Sequence, residues 1–280
     1  MGFIKQIISN FVGSNRAFFY PKLHKKTPVI INDVDFGHIL EGKECLVTGG
    51  SSGIGLAIAK KMIACGAKVT IIGRDPEKTR KVAQELGCDF LLLDLTDTHA
   101  LISTVSEYIA DKRIEILVNS AGVTDKEPWL EKTPENFDMV MNTNLKASYF
   151  MCQTIAKHML EKEIQGHILN VSSSSSMRPS WGPYQLSKRA MNGMTLAFAK
   201  RLAPKGITVN GLAPGVTLTP MASNFVEDTE NLAYYNPLRR AETPEEIANL
   251  AVFLTSNLGT SIVGDTVMIT GGSGILDDAY

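Results

Sequence analysis

The sequence predicts an α/β protein built on a single doubly wound parallel sheet, and three observations carry that prediction. From Lys43 onward, short β-branched and leucine-rich runs alternate with segments of helical spacing. The runs are apolar on both faces, as strands covered by helices on each side must be. The first run also passes directly into a glycine-rich turn and an alanine-rich helix. Right-handed crossovers then generate a doubly wound sheet. No internal repeat or linker follows Lys43, so residues 39–280 are expected to form one domain, preceded by an extension at residues 1–38.

The extension is basic. Between Met1 and Pro28 its charged residues are Lys5, Arg16, Lys22, Lys25 and Lys26, and the first acid is Asp33. Phe3, Ile4, Ile7, Ile8, Phe11 and Val12 recur at three- and four-residue steps, one apolar stripe on a helix. Two readings stand: a helix covering a groove on its own domain or a partner subunit, or a peripheral membrane contact through residues 3–12. A signal peptide is not expected, because Ser9 and Asn10 interrupt the apolar stretch. The tract from Lys22 to Asp35 reads as a connector.

Seven strands are predicted, at Glu44–Thr48, Lys68–Ile72, Phe90–Asp94, Ile114–Asn119, His167–Ser172, Ile207–Leu212 and Thr266–Thr270. Helical spacing covers Ile54–Ala64 before Gly66, Pro76–Leu86 before Gly87, and Gly182–Leu202. Pro76, Pro134 and Pro244 each suit a first helical turn, where the missing N–H has no partner to lose. Glu245 and Glu246 add the acids such a turn favours.

Composition narrows the function classes. The 280 residues are 44% hydrophobic and 20% charged, which excludes a disordered or collagen-like chain. A net charge of -1 offers no general attraction to nucleic acid. No apolar run reaches the roughly 18 residues of a bilayer span. Cys45, Cys65, Cys88 and Cys152 are scattered and the five histidines form no ligand-like pair. Neither a metal site nor a disulfide framework is expected, and the cytoplasm is the expected location.

The turn after the first strand reads Gly49-Gly50-Ser51-Ser52-Gly53-Ile54-Gly55. Glycines there permit a tight turn and close approach of a pyrophosphate, while the helix N-terminus supplies free N–H groups. The alternative is a plain connecting loop; its position between first strand and first helix favours nucleotide binding. With Thr48 the spacing is Thr-Gly-x-x-x-Gly-x-Gly. Further motifs follow in order: Asp94-Leu95, Asn119-Ser120-Ala121-Gly122, Asn144, Ser173, Tyr184-x-x-x-Lys188 and Pro214-Gly215-Val216-Thr217. On these residues the chain, from roughly Ile39 to Ile275, resembles the short-chain dehydrogenase/reductase family in its single-domain, ketoreductase-like branch. The resemblance implies a Rossmann fold of seven parallel strands flanked by helices, and hydride transfer between a nicotinamide dinucleotide and a carbonyl or alcohol. It also implies a cofactor site made by Gly49, Ser51, Ser52, Gly53, Ile54, Gly55, Asp94, Leu95, Asn119, Ala121, Gly122, Tyr184, Lys188, Pro214, Gly215, Val216 and Thr217. The Val216 backbone would meet the carboxamide.

The end of the second strand bears on the choice of dinucleotide. An acid there would accept from a free ribose 2′-hydroxyl and repel a 2′-phosphate. This chain has Gly73-Arg74, with Asp75 one step further on. A guanidinium suits a phosphate, so NADP(H) is expected over NAD(H). The alternative is an Arg74 that merely pairs with Asp75 or Glu77.

Tyr184 and Lys188 stand four apart, so a helix projects both from one face, about one turn (~6 Å) apart. A phenol titrates near 10 when unperturbed, and a neighbouring ammonium with an oxidised nicotinamide would pull that value down. The resemblance implies Tyr184 as general acid/base, with Lys188 lowering its pKa and holding the ribose hydroxyls. It implies Ser173 as the residue that steadies the carbonyl oxygen, although Ser174 and Ser175 compete, because Ser173 stands 11 residues before the tyrosine, slightly short for the family. Asn144 would bend its helix and anchor a water that relays protons from Lys188, with Asn142 the competing candidate. A longer tyrosine–lysine interval marks enoyl reductases, and epimerases of the sugar-nucleotide branch have a different glycine spacing. A non-catalytic NADP-sensing module would be expected to lack the tyrosine or lysine.

The substrate pocket is expected from Met177–Trp181, Val123–Trp129 and the Leu218–Pro237 insertion, with Trp129, Trp181, Met177, Tyr234 and Tyr235 giving an apolar, aromatic lining. That insertion could act as a lid, and Arg178 could meet an anionic group on the substrate. A ketone or secondary alcohol with an apolar body is the expected small-molecule partner. The small-residue helix Leu186–Leu202 and the habits of relatives imply a homodimer or homotetramer.

Overall fold

Strand β1 (Glu44–Thr48) sends Cys45 and Val47 into one hydrophobic layer and Leu46 into the other, so a period of two serves two cores at once. The computed structural model describes residues 34–125, 127–222, 237–238 and 240–274. The apolar stripe at residues 3–12, most of the connector, Tyr234 and Tyr235 lie outside these described residues. Strands β2 (Lys68–Gly73), β3 (Asp89–Leu92), β4 (Ile114–Asn119), β5 (His167–Val171), β6 (Thr208–Pro214) and β7 (Thr266–Ile269) complete one sheet in the order β3-β2-β1-β4-β5-β6-β7. All pairings are parallel. The order reverses between β1 and β4, where Thr48 stands opposite Asn119, and the carboxyl ends of the strands open into a crevice there.

On one face lie helices α1 (Gly53–Ala64), α2 (Pro76–Leu86) and α7 (Pro244–Leu254), packing Ile58, Val82 and Ile247 onto Val47 and Val118. On the other lie α3 (Thr98–Ile109), α5 (Ala147–Glu161) and α6 (Pro183–Leu202), packing Leu101, Met151 and Met191 onto Leu46 and Leu117. Between α4 (Pro134–Met141) and α5 the backbone widens into one π-helical turn, Asn142–Lys146. Such turns cluster at functional sites. Among the described residues no helix is long and apolar enough to cross a membrane.

Two strand ends differ from the sequence expectation by two residues, and the others agree within one. β3 stops at Leu92 because Asp94 folds into a turn, its carboxylate accepting from the Thr96 N–H at 2.9 Å and hydroxyl at 2.8 Å. β6 runs on to Pro214 because its pairing with β7 continues to Ile269, which carries the Pro214–Thr217 segment to the crevice rim.

Below that rim the sheet carries a buried polar cluster. The Asn119 amide donates to Asn170 Oδ1 at 2.9 Å, and the Asn170 amide donates to the Thr195 hydroxyl at 3.0 Å, tying β4, β5 and α6 together. All three residues are buried. Asn170→Ala strips partners from Asn119 and Thr195, and an orphaned buried polar group costs about 1–3 kcal/mol. The urea midpoint of this variant is expected to fall by the equivalent of roughly 2–4 kcal/mol; a loss below about 0.5 kcal/mol would show that the cluster bears no strain.

Candidate active site

The glycine-rich turn is closed to side chains. Gly49 has φ +66°, and a Cβ on it would stand 2.9 Å from Ala121 Cα. A Cβ on Gly55 would lie 2.4 Å from the Gly49 carbonyl oxygen. α2, α3, α4 and α7 each begin with a side-chain cap, from Asp75, Asp97, Thr133 and Thr243. At α1 the capping position is Ser52, in extended backbone, and its side chain makes no cap hydrogen bond. The first N–H groups of α1 therefore face the crevice without a side-chain acceptor, the donor set a pyrophosphate needs. The Thr48 hydroxyl, which sequence reading treated only as part of the turn motif, accepts from the Ser120 and Ala121 N–H groups at 3.0 and 3.1 Å and pins the far wall.

At the end of β2, Arg74 is exposed and makes no ion pair with Asp75 or Glu77 among the described residues. Asp75 is committed elsewhere: its carboxylate accepts from the Lys78 N–H at 3.0 Å and caps α2. A Cβ on Gly73 would come 3.4 Å from the Ser51 hydroxyl oxygen, so the phosphate turn and the Arg74 strand end adjoin. The Asp94 carboxyl is held below its usual range, chiefly by the two hydrogen bonds from Thr96, with the Arg74 charge adding to the effect. Asn119 turns its amide into the core rather than to the crevice, so only its backbone faces a ligand.

The candidate catalytic side chains gather from three elements, α6, the turn after β5 and the π turn. α6 delivers Tyr184 and Lys188 one turn apart, with the ammonium 5.9 Å from the phenol ring centre. Ser173 caps the short turn Ser174–Met177 that follows β5; its hydroxyl accepts from the Ser175 N–H at 3.1 Å, and both Ser173 and Tyr184 line the crevice. Two of the neighbouring serines are occupied: Ser172 Oγ donates to Asn192 at 2.6 Å, and Ser176 Oγ donates to the Ser173 carbonyl at 2.7 Å; Ser174 and Ser175, the competing candidates, line the same crevice. Asn144, inside the π turn, clasps Val123 from both sides, accepting from its N–H at 2.8 Å and donating to its carbonyl at 2.9 Å. Ser187, which the sequence did not single out, accepts from the same amide at 3.2 Å. A Cβ on Gly122 would stand 3.4 Å from Asn144 Oδ1 and 3.7 Å from Lys188 Nζ, so the bare glycine opens the space in front of both.

Without the dinucleotide, burial dominates the electrostatics here. Burial pushes the Tyr184 phenol above its ordinary value, the hydrogen bond with Ser173 pulls it back, and the Asp125 charge pushes it up again. Lys188 is buried, donates to the Val171 carbonyl at 2.7 Å and is brought down to about 8 by desolvation. The lowering of the phenol expected from Lys188 is therefore not a property of the two side chains alone. It requires a further positive charge above the phenol, which the ring of an oxidised nicotinamide would supply.

Beyond Tyr184 the crevice widens to about 610 Å³. Trp129 and Trp181 form a tilted pair at its wall, ring centres 6.0 Å apart, and Met221 lies on the insertion side. Arg178 lines it as expected, with its guanidinium donating to the Ser273 hydroxyl. Met177 points away, exposed. At the rim the Val216 carbonyl accepts from the Glu242 N–H at 2.9 Å. The residues present fit a nicotinamide dinucleotide laid from the α1 N-terminus to Gly122.

Comparison with known proteins places this geometry. Residues 49–273 match the family profile described as Enoyl-(Acyl carrier protein) reductase. The chain is 34% identical over 243 residues to the acetoacetyl-CoA reductase of an Acinetobacter strain, covering 83% of this chain and 98% of the relative. A structure from Beutenbergia cavernae, described as an NAD(P) dependent gluconate 5-dehydrogenase with bound NADP at low occupancy, superposes with a TM-score of 0.79 at 31% identity, covering 84% of this chain and 98% of that one. The 3-ketoacyl-(acyl-carrier-protein) reductase from Brucella melitensis, complexed with NADH, gives 0.77 at 31% identity, covering 84% and 100%. The profile, the identities and the shared seven-stranded sheet agree: the chain belongs to the short-chain dehydrogenase/reductase family of oxidoreductases.

Proposed function

We propose that the protein transfers hydride between NADP(H) and a ketone or secondary alcohol with an apolar body. The observation that carries this reading is the convergence of Tyr184 and Ser173 on one crevice beside the buried Lys188 ammonium. The dinucleotide supplies or accepts the hydride. Tyr184 gives its phenolic proton to the carbonyl oxygen in reduction and takes it back in oxidation. Ser173 donates a hydrogen bond to that oxygen as charge builds on it. Lys188 holds the nicotinamide ribose, and Asn144 fixes the Val123 backbone beside the reacting groups. The i, i+4 spacing of Tyr184 and Lys188 favours carbonyl over carbon–carbon double-bond reduction, although the matching profile carries an enoyl reductase description. Names among the relatives range from an acyl thioester reductase to a sugar acid dehydrogenase. The tryptophan pair supports the apolar end of that range.

For the dinucleotide, the exposed Arg74 guanidinium beside Ser51, with Asp75 spent on its helix cap, favours a 2′-phosphate. Relatives with NADP and with NADH both occur, so the preference is this chain's own. Arg74→Ala is expected to weaken NADP⁺ roughly 10-fold to 100-fold, the worth of a charge-assisted contact, and to leave NAD⁺ within about twofold. Equal KM values for the two dinucleotides in the unaltered protein would overturn the preference.

A carbonyl panel assayed with NADPH tests the chemistry. Tyr184→Phe is expected to cut kcat/KM by roughly 10²–10⁴ and Ser173→Ala by roughly 10²–10³. Ser175→Ala should stay within about threefold, because Ser173 and not Ser175 is the serine that acts on the Tyr184 phenol. Undiminished turnover in Tyr184→Phe would sink the proposal.

The surface also favours self-association. Phe137, Met139, Tyr149, Leu186 and Leu196 are exposed along α4–α6, and at Gly193 an added Cβ would meet nothing within 4 Å. A homodimer or homotetramer through this face is expected; a single-chain mass by light scattering at micromolar concentration would contradict it.

A further inference from the structure

Outside the four reacting residues, the crevice holds an ion pair that the reaction as described does not use. Asp125 and Lys132 come from the segment joining β4 to α4, and their side chains are only 8% and 16% exposed. The Lys132 ammonium contacts the Asp125 carboxylate, donates to the Glu127 carbonyl and has the Glu127 carboxylate 3.9 Å away. The pair lies against the start of α6. A Cβ on Gly182 would stand 2.9 Å from Asp125 Oδ2 and 3.4 Å from Lys132 Cε. Gly182 is the capping residue of α6, carries no side-chain cap, and precedes Tyr184 by two residues. A surface ion pair contributes little, but this one sits in a low-dielectric wall where each charge acts strongly on its neighbours.

We propose that Asp125 and Lys132 are positioning residues of the catalytic phenol, a coupled charge pair that docks the Val123–Lys132 segment on the start of α6 and sets the field at Tyr184. The inference rests on the catalytic reading of Tyr184. The other charged groups around the phenol are Lys188 on α6 itself, Glu127 beside Lys132, and Arg178 on the turn after β5. Of these, Lys188 is engaged with Val171 and Arg178 with Ser273. The Asp125 charge disfavours a phenolate, in the direction its effect on Tyr184 takes; the Lys132 ammonium quenches it. Removing either partner alone exposes the other, so the two substitutions must act in opposite directions. A purely structural role for the segment has no such sign.

The test is a titration of Tyr184 itself. Protein labelled with carbon-13 at the tyrosine ring carbon bearing oxygen is titrated by NMR with and without NADP⁺, and Tyr184→Phe identifies the resonance. Asp125→Asn is expected to lower the Tyr184 midpoint by roughly 0.5–1 pH unit, and Lys132→Met to raise it by a similar amount. The double variant should return close to the starting value. Midpoints that stay put, or that move the same way in both single variants, would overturn the proposal. Because this readout needs no turnover, it separates the two ideas: opposite shifts in a protein that reduces no carbonyl would remove the catalytic reading and leave the charge pair standing.

Discussion

Lys188 is a cation taken out of water with no carboxylate within 4 Å among the described residues. Its ammonium rests on one backbone carbonyl, and burial brings it down to about 8. Such a group opposes folding unless its surroundings hold it in place. Much of the local architecture does so. Ser172 bonds the Lys188 carbonyl at 3.2 Å, Asn192 donates to Ser176 at 2.9 Å, and Arg189 donates to the Ser176 and Arg178 carbonyls at 3.0 and 3.2 Å. α6 is thereby laced to the turn after β5, so that the ammonium, the phenol and Ser173 keep one arrangement. The same lacing commits the Ser172 and Ser176 hydroxyls elsewhere, at either end of the serine run.

The helix ends divide along the same line. Four helices are closed by capping side chains, which satisfy their first N–H groups within the chain. α5 runs on from the π turn and needs no cap, whereas α1 and α6 start from extended backbone uncapped, and these two open on the crevice. Stability given up at those ends is recovered when an anion arrives. At α1 the anion proposed here is the pyrophosphate of a dinucleotide. At α6 the nearest negative group belongs to the protein, the Asp125 carboxylate, and its charge is balanced by Lys132.

The sheet was legible because its signals are local and redundant. β1 and β4 came out with the predicted bounds, and Pro76–Leu86 matched from its proline to the glycine beyond it. β3 and β6 missed at their carboxyl ends, where a turn competed with the strand at Asp94 and a neighbouring strand extended it at Pro214. The motif positions mark which residues approach the crevice but not which way each side chain turns. Asn119 fits the motif yet faces the core, and Met177 lies in the expected loop yet points to solvent. Lys132 and Ser187 carry no signal along the chain, and Asp125 none beyond its place in the Val123–Trp129 stretch, because their roles arise only when the β4–α4 segment and α6 meet in space. The sign of the Tyr184 perturbation was equally hidden, since desolvation depends on everything packed around the ring.

The central claim is that hydride passes across this crevice under control of one phenol. It is tested most directly by following the label from NADPH carrying deuterium at the nicotinamide C4, with both faces labelled in separate preparations, into a ketone with an apolar body. One of the two preparations should place deuterium on the carbinol carbon of the product, and Tyr184→Phe should abolish the transfer while still binding the dinucleotide. Deuterium that never reaches the carbinol carbon from either preparation, or that reaches it as fast without the phenol, would contradict the account.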